Sequence, residues 1–258
     1  MSDTQEEVLR SETRDNLLIL TLNRPYAKNA FNAALSQALS AALDRFEEDP
    51  ALRVGVLTGA GGSFSAGMDL KALLKGEVSS TEKRGGFGIL ARPPNKPLIA
   101  AVEGYAVAGG MELALSCDLI VASSEAKFGL PEVKRGLVAV GGALFRLPKR
   151  IPYHVAVELA LTGETISAER AQQLGLVSQV VQPGAALDAA CELARRIGQN
   201  GPLAVAATKQ ILAKAYEWNE ENAWKEQHKL ARTALRSKDA TEGSRAFAEK
   251  RPPVWRGE

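Results

Sequence analysis

Two glutamates and two glycine-bearing turns carry the residue types from which a catalytic site could be built. Glu112 ends the stretch Gly104-Tyr105-Ala106-Val107-Ala108-Gly109-Gly110-Met111-Glu112, and Glu132 sits in Phe128-Gly129-Leu130-Pro131-Glu132-Val133. Upstream, Phe64-Ser65-Ala66-Gly67-Met68-Asp69-Leu70-Lys71 follows an apolar run and opens a short helical pattern. Chemistry at a carbonyl builds negative charge on its oxygen, and a pair of backbone N–H groups aimed at that charge is an inexpensive preorganised stabiliser. Helix N-termini supply such donors, because their first N–H groups lack intrahelical partners and carry the positive end of the dipole. Glycine at the junction lets a substrate approach the backbone. One such turn alone is more often just a tight entry into a buried helix, and one buried glutamate is more often a salt-bridged structural residue. Two turns with two carboxylates point instead to acid–base work at an activated carbonyl, since two carboxyls around one water can carry out both proton movements. Burial side by side would push their proton affinities apart.

Other chemistries fit poorly. Gly59-Ala60-Gly61-Gly62-Ser63-Phe64 begins like a dinucleotide fingerprint, but Phe64 holds the third glycine position and no acidic residue ends a strand at the required distance. A Walker A loop would need Gly-Lys-Ser/Thr, and none follows. A serine nucleophile elbow around Ser65 would need glycine where Ser63 stands. His154 and His228 lie in no catalytic signature, and with Cys117 and Cys191 they are too scattered for a zinc site, so no metal is expected.

The elements that must hold these residues follow from periodicity. The 258 residues suffice for one large domain or a domain with an appendage. Residues 8–13 and 17–23 read as a strand hairpin, and Phe31, Leu35, Leu39, Leu43 and Phe46 mark an amphipathic helix stopped at Asp49-Pro50. Further strands are expected at 53–58, 97–103, 118–122 and 177–181, with helices between them, an alternation that indicates an α/β fold. Residues 76–95 turn polar and glycine-rich without a persistent period and read as a mobile loop beside the site. From 186 onward the pattern is helical, and the last helix is expected to start on a capping box of Asp239 and Glu242.

With 32 basic and 30 acidic residues the formal net charge is +2, which argues against a dedicated nucleic-acid surface. Residues 1–7 are acidic and polar, unlike a secretory signal, and no apolar run approaches the ~20 residues that span a bilayer. Cys117 and Cys191 read as buried thiols of a reducing compartment, so a cytoplasmic protein without membrane association is expected.

Taken together, the motifs resemble the crotonase, or enoyl-CoA hydratase/isomerase, superfamily. The likeness runs from Leu22-Asn23-Arg24-Pro25 and Asn29-Ala30-Phe31 through the central turns and Leu161-Thr162-Gly163 to Asp239-Ala240-Thr241-Glu242-Gly243 and residues 246–251. In residues 64–71, 141–148 and 247–255 the wording is closest to carnitinyl-CoA dehydratase-like members. The resemblance implies a spiral core of repeated β-β-α turns over 1–197 and a C-terminal helical trimerisation region over 198–258, giving a homotrimer or a dimer of trimers. It also implies hydration of a 2-enoyl-CoA thioester, or the reverse dehydration. In it Glu112 and Glu132 move protons, and the N–H groups of Met68 and Gly109 hold the enolate oxygen. Arg24, Lys28, Ala66, Asp69, Leu70 and Lys71 fall to CoA binding, with Ala66 meeting adenine through its backbone and Lys71 meeting a phosphate. No separate cofactor is implied, because CoA enters as part of the substrate.

Two departures from the family pattern bear on the site. Ala108 replaces the first of three glycines common in the family, which should tighten the turn without removing the Gly109 donor. The stretch after Glu132 lacks the usual proline, and its Val138-Ala139-Val140 makes that wall of the acyl pocket more apolar. A double-bond isomerase, an acyl-CoA hydrolase and a non-catalytic acyl-CoA-binding module are the competing expectations, because fold alone does not fix function.

Overall fold

The computed structural model of the chain describes residues 7–258, so all of the acidic start except Glu7 lies outside the described residues. The chain opens with a hairpin, β1 (Leu9–Arg14) and β2 (Leu17–Leu22), turning at Asp15, where φ is 55°. Helix α1 (Ala33–Glu48) follows, capped by Asn32, whose side chain accepts from the Leu35 N–H. Its buried stripe is Leu35, Leu39, Leu43 and Phe46, the residues whose spacing announces the helix.

Next in order come β3 (Val54–Gly59), α2 (Leu70–Leu74), β4 (Ser80–Thr81), β5 (Gly85–Gly86), β6 (Leu98–Val102), β7 (Tyr105–Val107), α3 (Gly109–Ser116), β8 (Leu119–Ser123) and β9 (Lys127–Gly129). After them come α4 (Ala143–Arg146), α5 (Tyr153–Thr162), β10 (Thr165–Ser167), α6 (Ala168–Gln173), β11 (Gln179–Val181), α7 (Ala186–Gly198), α8 (Pro202–Lys214), α9 (Glu220–Leu235) and α10 (Lys238–Glu249). The main sheet runs β1-β2-β3-β6-β8-β11, parallel apart from the opening hairpin. A second sheet, β10-β9-β7, takes the chain leaving β6 and β8 after a short turn, which produces the repeated β-β-α spiral.

Both faces of the main sheet are covered. Leu17, Ile19, Val54, Val56, Ile99, Ala101 and Val121 pack on Ala186, Ala190, Cys191 and Ala194 of α7, while Leu18, Leu20, Leu22, Leu57, Ala100 and Val102 face the inner core. Strands buried on both faces read as unbroken apolar runs, as 17–22 and 98–102 do. The expected strand at 177–181 is shorter than its apolar pattern, because Leu176 and Val177 donate their N–H groups back to Ala171 O and bury into the core.

Of residues 76–95, the stretch read as a mobile loop, 76–83 are mostly exposed and 84–90 are packed against the body of the protein. Phe87, Ile89 and Leu90 are buried, the Phe87 ring stacks on Phe31 at 4.4 Å, and Arg84 pairs with Asp44 at 2.7 Å. The capping box expected at the last helix is a correction. Ser237 caps α10 by accepting from the Ala240 N–H, while the buried Asp239 carboxylate accepts from the N–H groups of Arg256 and Gly257 and so ties down the C-terminal tail. Glu242 pairs with Arg251 at 2.6 Å. Among the described residues no helix is long and apolar enough to cross a membrane.

Candidate active site

Residues 64–69 form an irregular edge between two backbone neighbours. Phe64 N–H donates to Glu103 O, Ser65 N–H to Tyr105 O, Ala66 N–H to Lys28 O, Gly67 N–H to Ser65 Oγ and Asp69 N–H to Phe31 O. Met68 is the exception: among the described residues its N–H reaches no acceptor. The same holds for Gly109 at the start of α3, whose neighbours Ala108 and Met111 donate to Gly129 O and Ala108 O. The two free donors belong to turns in direct contact. A Cβ placed on Gly67 would come 2.7 Å from Gly109 N, so glycine is needed there for the turns to approach. Gly67 also has φ of +89°, a conformation that disfavours any side chain.

Glu112 lies in the first turn of α3 and is 5% exposed. Its Oε1 accepts the Ala143 N–H at 3.2 Å. Its Oε2 lies so close to Gly141 that a Cβ there would come within 2.3 Å. Burial lifts the Glu112 carboxyl above its ordinary range against the pull of the Ala143 N–H, and the charge of Glu132 lifts it further. Glu132 stands on the 3-10 turn Pro131–Arg135. Burial raises it as well, opposed by its own N–H and by Arg135, and its Oε2 is buried without a hydrogen-bond partner. Buried polar atoms are nearly always paired, so an orphan carboxylate oxygen marks a place where a ligand or water belongs.

Ala66, Met68, Leu70, Gly109, Glu112 and Glu132 line one cavity of about 870 Å³. The other expected CoA residues are not on its wall. Arg24 is 7% exposed, donates from its guanidinium to Ala30 O and pairs with Asp69 at 2.9 Å, so it braces the turn rather than presenting a free cation. Asp69 is committed to that pair and to capping α2 through the N–H groups of Lys71 and Ala72. Lys71 is exposed on α2, and the exposed Lys28 ammonium lies 5.1 Å from the Tyr105 ring centroid.

Comparison with known proteins settles the membership. The family model described as enoyl-CoA hydratase/isomerase matches residues 12–258. The chain belongs to that family. An enoyl-CoA hydratase of Mycobacterium tuberculosis is 44% identical over 249 residues, covering 94% of each chain. A carnitinyl-CoA dehydratase of Salmonella arizonae is 44% identical over 261 residues, covering 97% of this chain and 99% of its own. Among solved structures, an enoyl-CoA hydratase from Mycobacterium marinum superposes with TM-score 0.96 at 59% identity, over 98% of this chain and 100% of that one. The crotonase-type fold expected from the motifs is therefore the fold of this enoyl-CoA hydratase/isomerase family member.

Parts of its cavity escaped sequence reading. Phe87 and Leu90 arrive from the segment read as a loop, and Phe145 from α4. Arg146 donates to Leu90 O at 2.6 Å, to Gly141 O at 3.3 Å and to Ser116 Oγ at 3.2 Å, and so joins three walls behind Glu112. The signal for it was one arginine among apolar neighbours in Ala143-Leu144-Phe145-Arg146-Leu147, a pattern in which a charge must find buried acceptors.

Proposed function

We propose that the chain is a hydratase adding water across the double bond of a 2-enoyl-CoA thioester, or running the reverse dehydration. The observation that carries this is the meeting of two unpaired N–H groups, Met68 and Gly109, with the buried carboxyl of Glu112 and the half-buried one of Glu132 in one cavity. The thioester oxygen accepts from both donors and keeps them as it becomes an enolate oxygen, where such donors are worth most. Glu112, oriented by the Ala143 N–H, positions water at the β-carbon and takes its proton. Glu132, whose Oε2 has no partner and whose burial favours the protonated form, delivers its proton to the α-carbon. Oxygen and hydrogen of one water are thereby added, and the proton left on Glu112 returns to Glu132 on turnover.

CoA lies along the turn, with Ala66 O free for adenine because no donor reaches it among the described residues, and with Lys71 toward phosphate. CoA is part of the substrate, and no other cofactor is invoked. The protein works in the cytoplasm as a homotrimer or dimer of trimers. The names of the relatives span enoyl-CoA and carnitinyl-CoA chemistry, which leaves the acyl group to be read from the cavity.

The test follows enoyl-thioester absorbance with a 2-enoyl-CoA beside a free-thiol assay. Hydrated product is expected, with Glu112→Gln and Glu132→Gln each losing on the order of 10²–10⁴ in rate. Because the two share one water, the double variant should be little worse than the poorer single one. Loss of activity on only one replacement identifies an isomerase, thiol release a hydrolase, and binding without either signal a non-catalytic module.

A further inference from the structure

Two phenylalanines far apart in the sequence connect the turns that carry the free donors. Phe31 holds Met68 from both sides by its main chain. Its N–H donates to Gly67 O at 2.7 Å, its carbonyl accepts the Asp69 N–H at 2.9 Å, and Phe31 and Met68 are parallel bridge partners. The buried Phe31 ring stacks on Phe87, with centroids 4.4 Å apart and planes 14° from parallel. Phe87 in turn presses on Gly109. A Cβ placed on Gly109 would come 2.5 Å from Cε2 and 2.6 Å from Cζ of that ring, and 3.3 Å from Gly67 Cα. The Phe87 ring therefore sits in the corner where the two donor turns meet, and contacts run unbroken from Met68 through Phe31 and Phe87 to Gly109.

The ring is held there by a strained backbone. Phe87 has φ of 56°, a left-handed conformation that a bulky side chain seldom adopts. Its surroundings enforce the angle: Phe87 N–H donates to Ser79 O at 2.8 Å, and the next residue, Gly88, lies so close to α1 that a Cβ would fall 2.2 Å from Ser36 O. Packing alone asks only for an apolar residue of about the right size, which needs no such conformation. Strain that neighbouring structure over-determines gathers at functional sites.

We propose that the Phe31–Phe87 stack is a positioning device that sets the separation of the Met68 and Gly109 N–H groups. The proposal rests on those two groups being the donors to the thioester oxygen, and not on hydration. Two donors serve one oxygen only when both lie about 2.7–3.1 Å from it, a geometry that has to be held within roughly 0.5 Å. Phe31 and Phe87 are positioning residues, because each acts through the backbone it supports.

The test reads the donors without turnover. Hexanoyl-CoA labelled with carbon-13 at the thioester carbonyl is bound, and difference infrared spectroscopy measures how far hydrogen bonding lowers the carbonyl band. The parent should lower it clearly. Phe87→Leu and Phe31→Leu keep apolar volume without a flat ring, and each should lose roughly half or more of that shift, since hydrogen bonds weaken steeply off their optimum geometry. With a 2-enoyl-CoA, kcat should fall about 10- to 100-fold while KM stays within about threefold, the pattern of an interaction that strengthens in the transition state. The double variant should be little worse than the poorer single one, because the rings work as one stack. Melting temperatures report folding, and Phe87→Met replaces any leucine variant that is unfolded at the assay temperature. Lower stability with the carbonyl shift and kcat unchanged overturns the proposal, as does a parent that leaves the carbonyl band where it lies in free thioester. Loss of the shift in the variants of a parent that hydrates no enoyl thioester keeps the positioning role and removes the hydratase reading instead.

Discussion

At the scale of single residues, the cavity stores two unfavourable features: carboxyls taken out of water and a backbone angle suited to glycine. Glu112 and Glu132 have proton affinities above the ordinary value of 4.5 because burial penalises their charge. Between 4.5 and the raised folded value, the native state binds more protons than the unfolded chain, so stability falls as pH rises through that window; below it both states are protonated and the penalty is absent. Gln keeps the shape and the acceptor for the Ala143 N–H but carries no charge. Glu112→Gln should therefore be more stable than the parent at pH ~8, with the gain shrinking as pH falls through that window and gone below ~4.5. Denaturant midpoints at the two pH values check this, and equal differences at both would exclude burial of charge as the cause. Ala108 sits at φ 52°, ψ −131°, a region that costs a residue with a Cβ about 1–3 kcal/mol. Glycine would remove that strain and return roughly 0.5–1 kcal/mol to the unfolded chain's greater freedom. The expected result for Ala108→Gly is a net stabilisation of about 1 kcal/mol, seen as a rise of ~2–4 °C in Tm for a chain of this size; a lower Tm would mean the Ala108 methyl contributes packing that outweighs the strain.

At the scale of elements, legibility tracked length. The hairpin β1–β2, helix α1 and the strands β3, β6 and β8 announce themselves because each repeats its pattern over five residues or more. The second sheet did not, since β7, β9 and β10 have three residues each, too few for alternation to show. That sheet nevertheless sets the donors, as Ser65 bridges to Ala106 of β7 and Ala108 N–H is held by Gly129 of β9. The carboxylates and turns were legible through motif wording, whereas the commitment of Arg24 to Asp69 was not, because a pairing 45 residues apart leaves no local trace. The acceptors of Arg146, as far as 56 residues away at Leu90, leave no local trace either, although its charge among apolar neighbours does, and they have consequences for the reaction. Its hydrogen bonds fix Gly141 and Ser116, and Ser116 Oγ in turn donates to Glu112 O at 2.9 Å, so α4, α3 and the wall at Leu90 hold Glu112 in place together. Its positive charge also favours ionised Glu112. Arg146→Met is expected to lower kcat more than it raises KM, and to move the Glu112-dependent limb of the pH–rate profile to higher pH. Arg146→Lys should return the limb toward its original position while leaving kcat reduced, because lysine restores charge without the guanidinium fork. An unmoved limb in the methionine variant would reduce Arg146 to a structural brace.

At the scale of the whole molecule, the C-terminal helices leave apolar surface that the single chain does not cover. Helix α9 has no buried residue along its sixteen positions, although its pattern is amphipathic. Trp224 and Leu235 on it are 64% and 67% exposed, and Leu212 on α8 and Phe247 on α10 are 66% and 88% exposed. Scattered apolar residues on a surface are ordinary, but a run of helices with large side chains directed outward marks an interface. The tail beyond α10 argues that these helices are fixed before any partner arrives. Trp255 donates its indole N–H to Gln199 O at 2.7 Å, Arg53 donates to Trp255 O at 3.2 Å, and Asp239 holds the backbone at Arg256 and Gly257. An apolar face presented on a braced support loses little conformational freedom on association, which is the condition for tight self-assembly. Light scattering at micromolar concentration should accordingly return a threefold or sixfold multiple of the 27.5 kDa chain. Placing Glu at both Trp224 and Leu235 should shift the population toward monomer, since two buried charges per interface go unpaired. A wild-type monomer at that concentration would defeat self-assembly. An oligomer that survives both substitutions would place its interface on another face of the molecule.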